Sequence, residues 1–465
     1  MSEKISVVPF SKVVTSGSIY AEICAQENIP LLCVNKTTGS KKRMPFKAMF
    51  EHNKEFWLMN KVWEYFITLE DHQKIQEIMS KPEYSPGQDY NTNNDDDLEI
   101  IEIEKGFGDD YEDIKAVPEP ERSVQVDEGS DRLNELIIKK PREEAVITEA
   151  LVDTVKITML HNHASLMNAM TLSNDEAKKQ THGLVESTRQ FVKSSSQILS
   201  TNIFNDDLMK TLVSKSNGTI IQHMIRVYLN GLAFLSYYNK TVSSSSMINR
   251  LRASFNARYR KYYITLLPHL EPDAITLERV FLGGMRAISD EDFLNWATGF
   301  LMHDLGKAAA VEYHEGEEAY NRDIVIEHVK IGYDSIMDKT DYPKEVGLIA
   351  GYHHEYYGNP GGYGYFRTYL EQYKKSNPKV VQNFCIALDL EPVLDCEALA
   401  FFPAKVLEII DVFDSVTDPQ RKYRKAMTPK EALKMILEEF IIKEPKIDLI
   451  LFDFFARFVG EMSAQ

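Results

Sequence analysis

An acidic stretch near the start of the chain constrains the fold most, because the parts on either side of it must build separate cores. Residues 85–135 contain 17 Asp and Glu residues but only 4 Lys and Arg residues, in a chain whose net charge is −17. The stretch is also rich in Asn, Gly and Pro, so it buries too little apolar surface to offset its ordering entropy. We predict an acidic linker over 85–134.

Three consecutive acids in this linker, Asp95, Asp96 and Asp97, allow a second interpretation as a cation or phosphoacceptor site. A receiver-type site needs an apolar strand directly before the acids, whereas Asn and Tyr precede them here. A solvated linker is therefore the preferred interpretation. The overall acidity also disfavours binding to nucleic acid through bulk electrostatics, and no nucleic-acid partner is expected.

The segment before the linker, 1–84, is predicted to be a small α/β module. The run "IPLLCV" is typical of a strand and "EDHQKIQEIM" of a helix, and no catalytic constellation stands between them. We interpret the module as a regulatory or partner-binding unit, through which a protein partner is expected to bind.

Composition and cysteine usage indicate the compartment. The 465 residues suffice for two or three domains. The N-terminus has no long apolar run after a basic start, so a secretory signal is not expected. No stretch has the roughly 18 uncharged apolar residues of a membrane helix. Four cysteines without CxxC spacing fit reduced thiols, so a cytoplasmic location is expected.

After the linker the pattern becomes helical, and from about 135 to the end we predict a predominantly α fold. Apolar residues recur every fourth position from Ile147 to Met159, which marks one face of a helix. The helices over 135–204 are expected to connect the linker to a domain over 205–465, and their amphipathic faces suggest a homodimer. His161 and His163 are interpreted as surface histidines, because residues two apart diverge on a helix.

Five of the twelve histidines and two aspartates fall in apolar or glycine-bounded helical segments: His223, His303, His328, His353, His354, Asp411 and Asp414. Each histidine alone can be a hydrogen-bonded core residue, and each aspartate a helix cap. Burying several of them without a cation costs a few kcal/mol each. A metal cluster removes that cost, and imidazole and carboxylate donors without cysteine suit Fe, Mn or Zn.

The motif "HDLGK" places His303 beside Asp304, where a satisfied core histidine next to a helix-ending acid remains the alternative. In a two-metal site one carboxylate can bridge both ions while the imidazole binds one. Lys307 lies three residues after Asp304 and shares its helix face, beside a possible anionic phosphate. Two ions about 3.5–4 Å apart are the usual arrangement for cleaving phosphate esters.

The order of these motifs, with "HHE", a Gly/Tyr-rich loop and "DVFDSVTDPQRKYRKAMTPKEAL", resembles the HD-GYP family of the HD phosphohydrolases over about 205–442. The resemblance implies an all-α HD-type catalytic domain. It also implies a metal-dependent phosphodiesterase that hydrolyses cyclic di-GMP to pGpG or GMP by attack of a metal-bound hydroxide.

The resemblance further implies roles for individual residues. Two divalent metal ions, Fe or Mn with Zn as an alternative, would be bound by His223, His303, Asp304, His328, His353, His354 and Asp411. Asp304 and Lys307 would be catalytic, and the substrate would be held by Lys307, Tyr363, Arg421 and Arg424. Guanidinium groups suit phosphate because their planar fork matches its oxygens.

The sequence departs from the family pattern in its signature loop, usually HHExxDGxGYP. Here "YYGNPGGYG" follows Glu355, one residue longer, without the usual acid and with Gly364 in place of the proline. Thr219 stands where three-metal members carry a glutamate, which favours two metals. A phosphohydrolase acting on another cyclic dinucleotide or nucleotide, and a non-catalytic cyclic di-GMP receptor, remain alternatives.

Two insertions interrupt the pattern, at about 240–290 and 366–400. The first contains the arginine-rich "RLRASFNARYRKYY", which we interpret as a solvated helix face rather than a docking surface for an acidic partner or nucleic acid.

Overall fold

A computed structural model of the chain describes the following residues: 4–9, 19–27, 29–35, 41–45, 63–80, 101–104, 119–139, 144–170, 172–200, 220–282, 284–309, 322–357, 362–378, 384–418 and 426–462. The chain divides into two units, 1–116 and 117–465.

The N-terminal unit is an antiparallel sheet with two helices, which confirms the α/β prediction. Its strands are β1 (Lys4–Pro9), β2 (Pro30–Asn35), β3 (Lys41–Pro45), β4 (Trp63–Thr68) and β5 (Ile101–Glu104). They lie in the order β3-β2-β4-β1-β5. The helices are α1 (Ile19–Gln26) and α2 (Leu69–Met79). Val7, Leu32 and Phe66 form a small core in the sheet.

Part of the predicted linker belongs to folded elements, so the boundaries differ from the predicted ones. Strand β5 pairs with β1, with Ile103 opposite Ile5. A helix begins at Glu119, well before the predicted end of the linker. Both segments contain alternating or periodic apolar residues, which the acidic composition of the whole stretch obscured. Asp95, Asp96 and Asp97 lie outside the described residues.

The C-terminal unit is helical, as predicted. Its α-helices among the described residues are α3 (Glu119–Lys139), α4 (Glu144–Ala169), α5 (Asn174–Ser200), α6 (Ile220–Val242), α7 (Ser245–Arg258), α8 (Arg260–Ile264), α9 (Leu277–Val280), α10 (Asp290–Met302), α11 (Gly306–Ala309), α12 (Arg322–Lys339), α13 (Lys344–Tyr352), α14 (Phe366–Ser376), α15 (Glu391–Leu394), α16 (Phe402–Thr417), α17 (Pro429–Met435) and α18 (Leu449–Met462). One apolar core runs through these helices, with Trp296 packed against Phe402 at 5.4 Å between ring centroids.

The two predicted insertions pack together and build a small parallel sheet. Strand β6 (Phe281–Leu282) comes from the first insertion, and β7 (Phe384–Ala387) and β8 (Ala398–Phe401) come from the second. Strand β8 runs directly into α16, which carries Asp411 and Asp414. The insertions therefore help to fix the helix that supplies two of the candidate site residues.

The start of α17 carries a local sequence signal that the structure uses, whereas His161 does not lie where the sequence predicted it. Thr428 and Glu431 form a capping box at the start of α17, which continues as a π-helix over Ile436–Ile442. His161 is fully buried, not on the surface, because α4 packs against α3 and Nε2 lies 2.8 Å from Gln125 Oε1.

Several guanidinium groups of the arginine-rich stretch are bound by carboxylates of the same unit. Arg252 pairs with Glu278 at 2.5 Å, Arg258 with Asp453 at 3.0 Å and Arg260 with Asp273 at 2.7 Å. These pairs agree with the solvated helix face that the sequence favoured. Among helices in the part of the chain that the structure describes, none is long and apolar enough to cross a bilayer.

Candidate metal centre

The His–Asp pair lies where α10 ends. Ser289 caps the start of α10 and His303 is its C-terminal cap residue, so Asp304 falls in the turn that follows. Gly306 lets this turn approach α12 closely: a Cβ there would lie 2.0 Å from the backbone oxygen of His328. A residue with a side chain cannot make this approach, which explains the glycine of "HDLGK" in steric terms.

The other candidate ligands come from four helices that surround this turn. His223 lies on α6, His328 on α12 and Asp411 on α16, while His353 and His354 directly follow α13. All of them are buried.

The Asp304 carboxylate lies at the centre of these side chains. Its Oδ1 lies 3.2 Å from Nε2 of His328 and 3.8 Å from Nε2 of His353. Its Oδ2 lies 3.4 Å from Nε2 of His303 and 3.6 Å from Nε2 of His223. Two imidazole nitrogens therefore lie within 4 Å of each carboxylate oxygen.

Two groups of donor atoms share this carboxylate. Asp304, His328, His353 and His354 form one group, and within each group the donor atoms lie within 4.8 Å of one another. His223, His303 and Asp304 form the second group. These two buried groups could each hold a metal ion, and Asp304 belongs to both of them.

Asp411 lies between His223 and His354. One carboxylate oxygen is 2.9 Å from His223 Nε2 and the other is 3.8 Å from His354 Nδ1. The structure thus brings together all seven side chains that the resemblance implied as ligands.

Hydrogen bonds on the outer side of the rings determine which nitrogen faces the cluster. Nδ1 of His303 lies 2.9 Å from the Phe300 carbonyl oxygen, and Nδ1 of His353 lies 2.8 Å from that of Ala350. A carbonyl can only accept, so each Nδ1 carries a proton. In the neutral ring, Nε2 then presents its lone pair to Asp304 and its neighbours.

Several buried polar atoms that face the cluster lack hydrogen-bond partners among the described residues: Nε2 of His303 and His353, Nδ1 of His354 and Oδ1 of Asp304. Unsatisfied buried polar atoms are rare, because each costs about 1–3 kcal/mol. Their convergence fits a cation, which would satisfy lone pairs that no protein donor reaches.

The ionisation of the site also suits cations. Burial lowers the pKa of His354 to about 3 and holds the pKa of His353 well below its usual range, so both rings are neutral. Burial works against the Asp304 carboxylate, but Lys307 and His303 outweigh it and hold the pKa of Asp304 well below the usual value. His223 is the exception: burial opposes its charged form, yet hydrogen bonds to Asp411 and Asp414 raise its pKa to about 9, so this ring must release a proton before it can bind a cation.

Lys307 and Tyr363 lie at the same centre. Lys307 Nζ donates to Asp304 Oδ2 at 2.5 Å, and its side chain is partly exposed. The Tyr363 ring packs on His354 with 4.3 Å between ring centroids. Arg421, Arg424 and Thr219 lie outside the described residues.

Three charged residues lie behind His223: Arg226, Asp414 and Asp418. The sequence pattern placed Asp414 among the candidate cluster residues, but it predicted no role for Arg226 or Asp418. Asp414 accepts from both His223 and Arg226, and Arg226 also donates to Asp418. The signal that could have found Arg226 is a cation within the otherwise apolar helix "IIQHMIRVYL", three residues after a candidate ligand.

Comparison with known proteins gives one structural relative. A search of solved structures returns, with a probability of 1.00, Bd1817, a HDG"Y"P protein from Bdellovibrio bacteriovorus. The match covers 98% of this chain and 100% of that chain, at 11% identity and a TM-score of 0.37.

Neither a scan against protein-family models nor a search of curated proteins finds a match. At 11% identity and a TM-score of 0.37, nothing of the relative's chemistry transfers to this chain. The function has to be inferred from the site's own residues.

Proposed function

We propose that this protein is a metal-dependent phosphodiesterase of the HD phosphohydrolase type, with cyclic di-GMP as its substrate. The observation that supports this most is the shared carboxylate of Asp304, which belongs to two groups of buried donor atoms. The order of "HDLGK", "HHE" and "DVFDSVTD" in the sequence supports the choice of substrate.

Two divalent ions would be held by His223, His303, Asp304, His328, His353, His354 and Asp411. Fe or Mn suits these imidazole and carboxylate donors, with Zn as the alternative. Bound in this way, the pair would supply an activated water as nucleophile and positive charge at the reacting phosphate.

The chain's own residues would orient the substrate. Lys307 is held against the shared ligand Asp304, so its ammonium lies beside the place where a phosphate would bind. There it would donate a hydrogen bond to a non-bridging or leaving oxygen as negative charge develops. The partly exposed Tyr363 ring beside His354 would contact the remainder of the substrate.

The first experiment combines metal analysis with a product assay. Purified full-length protein should contain close to two equivalents of metal, and incubation with cyclic di-GMP should give pGpG or GMP on chromatography. Asp304→Ala should bind neither ion and form no product. Asp453→Asn, which removes an aspartate paired with Arg258 elsewhere in the unit, is the matched control and should behave as wild type. Wild-type protein without metal or product would contradict the proposal.

A second candidate is a phosphohydrolase acting on another cyclic dinucleotide or nucleotide, and the loop after Glu355 favours it. The backbone amides of Tyr363 and Gly364 both donate to the carbonyl of His354, which fixes the loop directly against the site. A different loop at this position would change which base fits. Turnover of another nucleotide with cyclic di-GMP left intact would support this candidate. Tight binding of cyclic di-GMP without turnover would instead indicate a receptor.

The remaining features are proposed on the sequence alone. The N-terminal unit would serve as a regulatory or partner-binding module, and the helices over 135–204 would pair subunits in a homodimer. We propose a cytoplasmic location from the cysteine usage.

A further inference from the structure

A second layer of buried charge lies directly behind one candidate ligand. The guanidinium group of Arg226 donates to both oxygens of Asp414, at 2.7 and 2.9 Å, and to Asp418 at 2.7 Å. The Nδ1 atom of His223 lies 2.7 Å from Oδ2 of the same Asp414. All four side chains are buried.

Burying an arginine and two aspartates requires an explanation, because the desolvation cost of such ions is often not recovered. A role in fixing the geometry of His223 accounts for the cluster. Arg226 donates to both oxygens of Asp414 and so holds the carboxylate that accepts from His223.

The hydrogen-bond pattern leaves one orientation for the His223 ring. Because the Asp414 carboxylate accepts and cannot donate, the proton on Nδ1 of His223 is held in place. In the neutral ring the lone pair is then on Nε2. That nitrogen faces Asp411 at 2.9 Å and Asp304 at 3.6 Å.

We propose that Asp414, held by Arg226, is a positioning residue for the metal centre, an inference that rests on the proposed function. It acts through His223: it retains the Nδ1 proton and directs the Nε2 lone pair at the site. Partners of this kind behind ligating histidines typically change metal affinity by about 10- to 100-fold.

The same contacts join two helices at two successive levels. His223 and Arg226 are three residues apart on α6, and Asp411 and Asp414 are three residues apart on α16. His223 contacts Asp411 at one level, and Arg226 contacts Asp414 at the next. The spacing of α6 and α16, and with it the position of Asp411, therefore depends on the same arginine.

The test is Asp414→Asn. Both Asp414 oxygens accept hydrogen bonds from Arg226, so the amide nitrogen of the variant side chain would face an Arg226 donor in either orientation. In the orientation that turns this nitrogen towards His223, the His223 ring must carry its proton on Nε2 instead of Nδ1. Titration of the metal-free protein with Co²⁺ should show about 10- to 100-fold weaker binding at one of two sites and an altered visible spectrum. Asp453→Asn removes an aspartate that also accepts from an arginine and a second donor, and should keep wild-type affinity.

A double variant provides the test if Asp414→Asn does not fold. Asp414→Asn with Arg226→Gln removes both charges together and leaves no unpaired guanidinium, and it should also bind one Co²⁺ weakly. Thermal unfolding of the metal-free proteins separates a positioning effect from a loss of stability. Wild-type Co²⁺ affinity and spectrum in the folded variant would overturn the positioning role and leave the proposed function standing. A wild-type protein that binds no Co²⁺ would contradict the proposed function itself.

Discussion

Replacing Gly306 with alanine is expected to damage the candidate metal centre without replacing any candidate ligand. The added Cβ would lie 2.0 Å from the His328 carbonyl oxygen and 2.6 Å from the backbone nitrogen of Gly332. Ordinary contact begins at about 3.4 Å, so α11 and α12 must separate by roughly 1.4 Å along that line. Both partners are backbone atoms, so no side-chain rotation can relieve the contact.

Gly306→Ala should change both the unfolding free energy and the reaction rate. Overpacking of this kind costs about 1–3 kcal/mol of unfolding free energy. The separation also moves His328, whose Nε2 lies 3.2 Å from Asp304 Oδ1, away from that carboxylate. A displacement of about 1 Å can lower the rate of an enzyme by a factor of about 10². Urea unfolding of the metal-free protein measures the first effect, and metal titration with the product assay measures the second.

Gly332→Ala is the matched control, because it changes the other glycine of the same contact. Its Cβ would lie 3.4 Å from the Gly306 nitrogen, which is ordinary contact. Gly332 also lies inside α12, where alanine is favoured over glycine by about 0.5–1 kcal/mol. This variant should therefore equal or exceed the wild type in stability. Gly306→Ala protein with wild-type stability and metal affinity would refute the steric reasoning.

Three further predictions concern single side chains. Asp304→Ala should lose both metal ions and all cleavage by elemental analysis and chromatography, and a metal-loaded, active variant would contradict the bridging role. Lys307→Met should keep its metal but lose about 10²-fold or more in turnover, as for removal of a charge-stabilising donor. Burial, and secondarily Arg122, lower the pKa of His161 to about 4, below its unfolded value near 6.5. The resulting stability is complete above pH 6.5 and is lost as pH falls towards 4. His161→Gln should remove this part of the pH dependence in urea unfolding, and an unchanged profile would exclude His161 as its source.

Much of the metal centre could be predicted from local sequence, because each ligand lies in an apolar or glycine-bounded helical context. A buried histidine needs a partner, so the pattern itself indicated a cation. Helix ends were equally local, as the capping box of Thr428 and Glu431 shows. Signals of this kind depend on residues a few positions apart, where side-chain spacing is fixed by the helix.

The parts that were missed depend on pairing between distant segments. Arg226 and Asp414 lie 188 residues apart, and nothing near either residue identifies the other. The parallel sheet has strands of two to four residues from two separate insertions, too short to show a period of their own. Strand β5 was hidden because its apolar residues stand inside an acidic stretch and pair with the first strand of the chain.

The structure around Gly364 explains why a glycine stands there in place of the proline of the family pattern. A Cβ at this position would lie 2.6 Å from the backbone nitrogen of Glu355, so the loop passes too close for any side chain. The Gly364 amide also donates to the His354 carbonyl at 3.2 Å, beside that of Tyr363 at 3.1 Å. The proline usual in the family pattern would remove this donor and add atoms where none fit. The longer loop thus supports His354 through backbone amides, and the substrate preference of the site should be sought in the shape that this loop gives it.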